Sequence, residues 1–371
     1  MNLSYWEIKN YLSNIDYTIV GSGIVGLNCE LRLRERFPKA TIVILKRGFL
    51  PQGASTKNAG FACFGSLSEI LDDLNTHSED EVIKLIEKWR KGLSLLRKTL
   101  SDKAIDYQQY GGYELFDHHD HEGYEHCMSQ MAKVNALLKQ QFKTDFFQIK
   151  ENVFNFQNIR KQLSFTPFEG QIDPGKMMRS LTDLVMKKNI SILNSVAVNH
   201  FEESGNNVYV KTDTFDFKTN QLLFCTNGFA SQLIHAEVKP ARAQVVVTKP
   251  ITALKIKGTF HLDKGFYYFR NIDSRILLGG GRNLDFKTEE TTEMGQTVII
   301  QNKLEELLNT TILPNTPFEI EHRWSGIMGV GSTKKPIVKQ LSNKVFCGVR
   351  LGGMGIAIGS HVGRELANLV N

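Results

Sequence analysis

The sequence predicts an α/β fold in which a parallel sheet is joined to a separate antiparallel region. Three observations carry this. Asp16-Tyr17-Thr18-Ile19-Val20 runs straight into Gly21-Ser22-Gly23-Ile24-Val25-Gly26, and a helical pattern follows from Leu27. Glycines spaced G-x-G-x-x-G between a strand and a helix mark the first turn of a βαβ unit. The run Thr41-Ile42-Val43-Ile44-Leu45 is continuously apolar, as a parallel strand buried on both faces must be. Residues 239–283 instead alternate in short runs, the habit of antiparallel strands. A chain of 371 residues exceeds what one simple core holds, so two domains are expected.

Bulk composition excludes several function classes. With 41% hydrophobic and 23% charged residues the chain matches ordinary globular proteins. No apolar run approaches the ~18 residues of a membrane span. Met1 to Asn10 lacks a basic stretch followed by an apolar one, so no secretory signal is read and a cytoplasmic location is expected. The formal charge of +6 is spread along the chain with no basic block interleaved with aromatics, which argues against nucleic acid as a partner. Cys29, Cys63, Cys127, Cys225 and Cys347 are far apart and form no CxxC pair, against both a disulfide framework and a zinc site.

In chain order, Trp6, Ile8, Tyr11 and Leu12 stand at near-helical spacing, an amphipathic lead-in expected to pack on the domain. The first strand (16–20) then enters the glycine turn. Gly21 permits the tight turn, Gly23 lets a pyrophosphate approach the backbone, and Gly26 lets helix and strand pack closely. The following helix runs to about Phe37 and Pro38 ends it. At the end of the second strand, where a dinucleotide fold usually places an acidic ribose ligand, stand Lys46 and Arg47. Basic residues there suit a 2′-phosphate, hence NADP; the other reading is a solvated replacement with the ribose held elsewhere.

Gly53-Ala54-Ser55-Thr56-Lys57-Asn58-Ala59-Gly60-Phe61 is rich in small and hydroxylated residues that bring backbone N–H groups onto one ligand. Residues 69–150 read mainly as helices, with Ser78 and Glu81 as a capping box. Val82, Leu85, Ile86, Trp89, Leu93, Leu96 and Leu100 form the stripe that follows. Asp117-His118-His119-Asp120-His121, with His126 and Cys127 behind it, is read as a solvated loop, because adjacent histidines point different ways; no metal is expected. Asp173 and Pro174 cap a helix lined by Met177, Met178, Leu181, Leu184 and Val185, and Ile190 to Val198 is the next strand. A hairpin (208–218) leads into an apolar strand that ends in Cys225-Thr226-Asn227-Gly228. Residues 293–310 suggest a further helix, and Gly352-Gly353-Met354-Gly355-Ile356 opens a last one through Leu369. Glycines at a second helix start offer a second set of free N–H groups to an anion.

The order of these pieces resembles the flavin-dependent amine oxidoreductases of the D-amino-acid-oxidase superfamily. The hexad, the G-A-S-T-K-N-A-G segment, the Arg323-Trp324-Ser325-Gly326-Ile327-Met328 turn and Gly352–Ile356 carry the likeness over nearly the whole chain. Ser4-Tyr5-Trp6-Glu7 is similar to the opening of the γ-glutamylputrescine-oxidase-like branch. The resemblance implies a discontinuous FAD-binding, Rossmann-like domain of the glutathione-reductase type 2, with an inserted substrate domain of antiparallel sheet and helices. The expected division is 1–68, 160–235 and 324–371 for FAD, and 69–159 and 236–323 for the substrate. It places Ala54 to Gly60 along the cofactor, the Val196 backbone at the adenine, Cys225 to Gly228, Gly326 and Met328 near the flavin, and Gly352 to Ile356 at its far end.

Several departures from the family pattern matter. Lys57 stands where the family usually has arginine, which keeps the charge and loses the fork. Leu277 holds the place of the lysine that activates oxygen in monomeric sarcosine oxidases, and no cysteine follows the Trp-Ser-Gly turn to tether the flavin, so FAD is expected to be noncovalent. Gly353 occupies the place of a carboxylate-binding arginine. The resemblance further implies hydride transfer to flavin N5 from a carbon bearing an amine, with a small amine or amino-acid-like substrate and dioxygen or a quinone as electron acceptor. Tyr267, Tyr268, Arg270 and Arg282 are expected as pocket walls, with Arg270, Arg282, His322 and Arg323 as candidates to orient an anionic group. No residue is assigned as catalyst. The alternatives are an NADP-linked reductase and a flavin-binding protein without turnover.

Overall fold

A computed structural model of the chain describes residues 2–188 and 190–370; Met1, Asn189 and Asn371 lie outside the described residues. One eight-stranded sheet contains β1 (Ile15–Val20), β2 (Ile42–Lys46), β8 (Ser191–Asn194), β9 (Val198–Ser204), β10 (Asn207–Thr212), β11 (Asp216–Phe224), β17 (Ile337–Gln340) and β18 (Val345–Val349). Its order is β17-β18-β11-β1-β2-β8, with the β9–β10 hairpin hung from β11. The central pairs β11–β1, β1–β2, β2–β8 and β11–β18 are parallel. Both neighbours of β1 therefore end at the same edge as Val20, and that edge is where a parallel sheet presents a ligand site.

The second eight-stranded sheet contains β4 (Gly112–Leu115), β5 (Gln148–Glu151), β6 (Gln162–Thr166), β12 (Lys239–Thr248), β13 (Thr259–Leu262), β14 (Tyr267–Ile272), β15 (Arg275–Gly280) and β16 (Ile320–Val330). Its order is β16-β12-β15-β14-β13-β4-β6-β5, antiparallel except for the β4–β13 pair. A two-stranded ribbon of β3 (Phe61–Ala62) and β7 (Gly170–Gln171) completes the strands. The helix Gly355–Leu369 packs on both Ile24–Arg36 and Glu79–Leu100, so the end of the chain is built into the largest core beside its beginning.

Several sequence expectations are met and others corrected. The capping box at Ser78 and Glu81 forms, and Asp173 accepts from the Lys176 N–H with Pro174 in the first helical turn. The amphipathic lead-in is different: Tyr5–Glu7 makes a single helical turn, followed by one π turn over Ile8–Leu12. Two such turns have too little surface to lay a face on the domain. Tyr5 and Trp6 stay 67% and 65% exposed, and only Leu12 packs against a core. Residues 69–150 contain, besides helices, β4 and β5. The strand expected over Ile190–Val198 is broken at Ser195, whose φ of 58° turns the chain between β8 and β9. The late helix begins only at Val298, because the Thr297 N–H is drawn away to Gln244 Oε1. Among the described residues no helix is long and apolar enough to cross a membrane.

Candidate active site

A cavity of about 840 Å³ runs from the C-terminal ends of β1, β2 and β11 to the second sheet. It lies near the upper end of the roughly 300–1,000 Å³ typical of small-molecule sites. One end is made of turns and helix starts. Gly21 sits at φ 111°, where a Cβ would lie 2.7 Å from the Cys225 carbonyl oxygen. Gly26 does not reach the cavity; a Cβ there would fall 1.9 Å from the Gly21 carbonyl oxygen, so its bareness is what lets the helix seat on the strand. The Ser55 hydroxyl accepts the Ile24 N–H (2.9 Å), which ties the 53–60 strap to the helix start. Asn58 holds that strap in shape: its amide donates to the Ala54 and Ser55 carbonyls and its oxygen accepts the Gly60 N–H.

Across the cavity, Gly352 and Gly353 adopt positive φ (57° and 83°) just before the helix Gly355–Leu369. Gly23 and Gly353 line the same cavity. Two helix starts, each with first-turn N–H groups lacking intrahelical acceptors, therefore face one space. Thr56 and Thr226 line that space too, and their buried hydroxyls have no hydrogen-bond partner among the described residues. Bare glycine turns, two opposed helix starts and two waiting hydroxyls fit an extended dinucleotide with a pyrophosphate near Gly23.

Of the residues expected at the cofactor, Gly21 to Val25, Lys46, Arg47, Ala54 to Ala59, Val196, Cys225 to Asn227, Gly326, Met328 and Gly352 to Ile356 all line the cavity. Gly60 and Gly228 do not: they back onto the carbonyls of Ile172 and Met328. Val196 lines the cavity, but its N–H is taken by the Lys46 carbonyl. Arg47 stacks over the Phe229 ring, 3.9 Å from its centroid, which commits its guanidinium sideways.

The other end of the cavity is built from side chains. Phe61, His261 and Tyr268 form an aromatic wall, with ring centroids 5.4 and 5.6 Å apart across Phe61. His261 lies between two carboxylates, with Nε2 3.2 Å from Glu169 and Nδ1 4.0 Å from Glu69. Burial pulls its pKa down, but Glu169, Glu69 and Glu114 outweigh this and raise it to about 9, so the ring is an imidazolium at neutral pH. Burial alone would raise Glu69; Lys334, His261 and the Ser66 cap overcome that and hold it below its ordinary value. Lys334 donates to Asp73 (3.0 Å) and lies 3.8 Å from Glu69, while Lys264 pairs with Asp72 (3.1 Å). Burial raises Asp73 in spite of Lys334.

Arg282 also lines this end, against the rings of Phe266 and Phe286, and has no carboxylate partner among the described residues. Burial lowers its pKa, opposed by the Tyr268 phenol, and burial pushes Tyr268 up to about 12. The remaining pocket candidates lie elsewhere. Tyr267 points the other way on β14 and packs in the second sheet's core. Arg270 is 2% exposed, and its guanidinium is spent on the Ala59 and Ile172 carbonyls, so it clamps the strap and orients no ligand. Arg323 turns outward to Glu305 and Gln301, and His322 is exposed beside it on β16.

Glu69, Asp72, Asp73, His261, Lys264 and Lys334 were not anticipated. The one signal available was Glu69-x-x-Asp72-Asp73, which puts three carboxylates on one helical face. Cys63, Glu169 and His261 converge within 4.8 Å, but Glu169 is already saturated by the Phe64 N–H, the Thr259 hydroxyl and His261. Asp117, His118 and His119 converge on the surface, with Asp120 beside them capping the next helix.

Comparison with known proteins bears on this arrangement. Curated protein sequences give no significant match. Among solved structures, glycine oxidase from Geobacillus kaustophilus is similar over 95% of this chain and 94% of its own, at 16% identity and TM-score 0.78. Iminodiacetate oxidase from Chelativorans sp. BNC1 (15% identity, 95% and 94% covered, TM-score 0.76) and L-proline dehydrogenase from P. horikoshii (16%, 96% and 93%, 0.74) share the fold. The sequence model of the DAO family, described as FAD dependent oxidoreductase, matches residues 16–369. The chain belongs to the DAO family of FAD-dependent oxidoreductases.

Proposed function

We propose that this enzyme oxidises the C–N bond of a small amine or amino-acid-like substrate. The observation that carries the reading is that Arg282, with no carboxylate partner among the described residues, lines the same cavity as Glu69, Asp72 and Asp73, whose charges Lys334, His261 and Lys264 partly offset. A zwitterion matches that polarity. FAD, when bound, supplies the two-electron acceptor for hydride leaving the amine-bearing carbon. In this reading Gly21 to Val25, the 54–59 strap, Thr226 and Gly352 to Ile356 hold the cofactor noncovalently. Arg282 and the Tyr268 hydroxyl receive the anionic group. Glu69, kept ionised by Lys334 and His261, faces the amine. Asp73, raised by burial, is the better acceptor for the proton an ammonium must lose before hydride departs.

The division into domains follows from the same reading. Segments 1–68, 160–235 and 324–371 serve the cofactor, and 69–159 and 236–323 the substrate; β16 straddles the last join, and β6, within 160–235, pairs in the second sheet. The Ser4-Tyr5-Trp6-Glu7 opening supports a place near the γ-glutamylputrescine-oxidase-like branch. A cytoplasmic site of action accords with five free, buried cysteines.

The test is anaerobic mixing of the yellow holoenzyme with a panel of amines and amino acids. Bleaching of the flavin absorbance by a subset of them is expected. A flavin that no member of a broad panel bleaches would favour a binding protein without turnover.

A further inference from the structure

A second, more open recess of about 610 Å³ adjoins the cofactor cavity. Its apolar lining is Leu50, Pro51, Met294 and Trp324. Leu50, Pro51, Gln52, Thr56 and Lys57 line both spaces, so the recess opens along the outer side of the same strap, and Met294 and Trp324 are the walls it has to itself. The Trp324 indole is fixed by donating to the Lys57 carbonyl (2.9 Å), which presents a rigid aromatic face beside that strap. Lys57 has no carboxylate partner among the described residues, and Gln52 adds an amide at the same wall. Phe49 and Leu50 carry the apolar surface outward, 75% and 62% exposed.

We propose that this recess binds the electron acceptor, a lipophilic quinone. A planar ring stacks on Trp324, its carbonyl oxygens accept from Lys57 and Gln52, and its hydrocarbon tail follows Leu50 and Phe49 to the surface. FAD held in the adjoining cavity would supply, once reduced, two electrons and two protons, and the quinone would take both and leave as the quinol. Dioxygen needs no recess of this size. A pyridine nucleotide would bring phosphates that one lysine cannot neutralise. The lining, apolar with one cation and one amide, matches a neutral ring that acquires negative charge only as it is reduced. The proposal rests on the FAD-dependent family and is independent of the amine reading.

The experiment needs no amine. The flavin of the holoenzyme is photoreduced under argon and mixed with ubiquinone-1, and the return of the oxidised absorbance is followed by stopped flow. The expected result is a rate that saturates with ubiquinone-1. In Met294→Asp the apparent Kd rises at least tenfold while reoxidation by dioxygen is unchanged. Equilibrium dialysis of ubiquinone-1 against the oxidised holoenzyme should show the same loss of binding. Should Met294→Asp fail to retain flavin, Phe49→Asp at the exposed rim serves in its place, with a smaller shift of at least threefold. A rate that rises linearly with ubiquinone-1, or a saturation curve that neither variant moves, overturns the proposal.

Discussion

The two ends of the cavity are built on different principles. The cofactor end is a backbone device: glycine turns at φ values few side chains tolerate, and helix starts with N–H groups to spare. The other end is a side-chain device, in which Glu69 and Asp73 from one helix meet His261 from β13 and Lys334 from a loop some 260 residues away. A backbone device is destroyed by adding an atom; a side-chain device is retuned by changing one. This contrast sets the expected size of each perturbation.

The largest effect is expected at the cofactor end. Gly26→Val puts a side chain where even a Cβ would lie 1.9 Å from a backbone oxygen. Protein lacking bound flavin after gel filtration, or failing to fold, is the expected outcome; a yellow, stable variant would break the comparison. Next come the two arginines that the sequence placed in one category. Arg270→Ala strips two buried carbonyls of their donor and should cost roughly 3–5 kcal/mol in denaturant unfolding. Arg282→Ala should leave the midpoint nearly unchanged while raising KM for any substrate found by about 10- to 100-fold. Equal behaviour of the two would show that Arg282, too, is structural.

The third perturbation is pH. The folded-state pKa of His261 lies near 9, above the ordinary 6.5. Its contribution is therefore complete below pH 6.5 and is lost as pH rises through 9, an alkaline limb of roughly 3 kcal/mol. His261→Gln should flatten that limb in urea titrations between pH 6 and 10. The smallest effect concerns Glu30, on the cofactor-side helix, whose buried carboxylate oxygens have no hydrogen-bond partner among the described residues. Burial raises it to about 7, with Arg34 and Lys188 opposing. A raised carboxyl contributes stability below pH 4.5 that is lost as pH climbs through 7. Glu30→Met should accordingly stabilise the protein at pH 8, by about 1–3 kcal/mol, and hardly at all at pH 4.

The same contrast explains what the sequence could say. Gly21, Gly26 and Gly353 were legible because positive φ or a close approach leaves few residue types available, so identity and spacing report conformation directly. At the other end, nothing local to Glu69 announces that Lys334 and His261 will face it. Tyr267 and Tyr268 were both expected as pocket walls, but neighbours on a strand face opposite ways: Tyr268 reaches the cavity while Tyr267 joins the core behind it. Arg270 shares the face of Tyr268 and was misread because burial does not tell a ligand's arginine from one that braces backbone. Lys46, in the place of an acidic ribose ligand, lines the cavity with its pKa lowered by burial. The structure gives no physical account of that substitution.

The strand order has a consequence for how the enzyme is made. β1, near the start of the chain, has β11 as a neighbour some 200 residues later, and β11 in turn leans on β18, close to the end. A ribosome therefore completes both walls of the nucleotide cleft only once it has passed Val349. Until then the nascent chain must wait with its glycine turn unoccupied, and maturation to the yellow form is governed by slow, long-range closure. Truncation before the helix Gly355–Leu369 is thus expected to show first as lost colour.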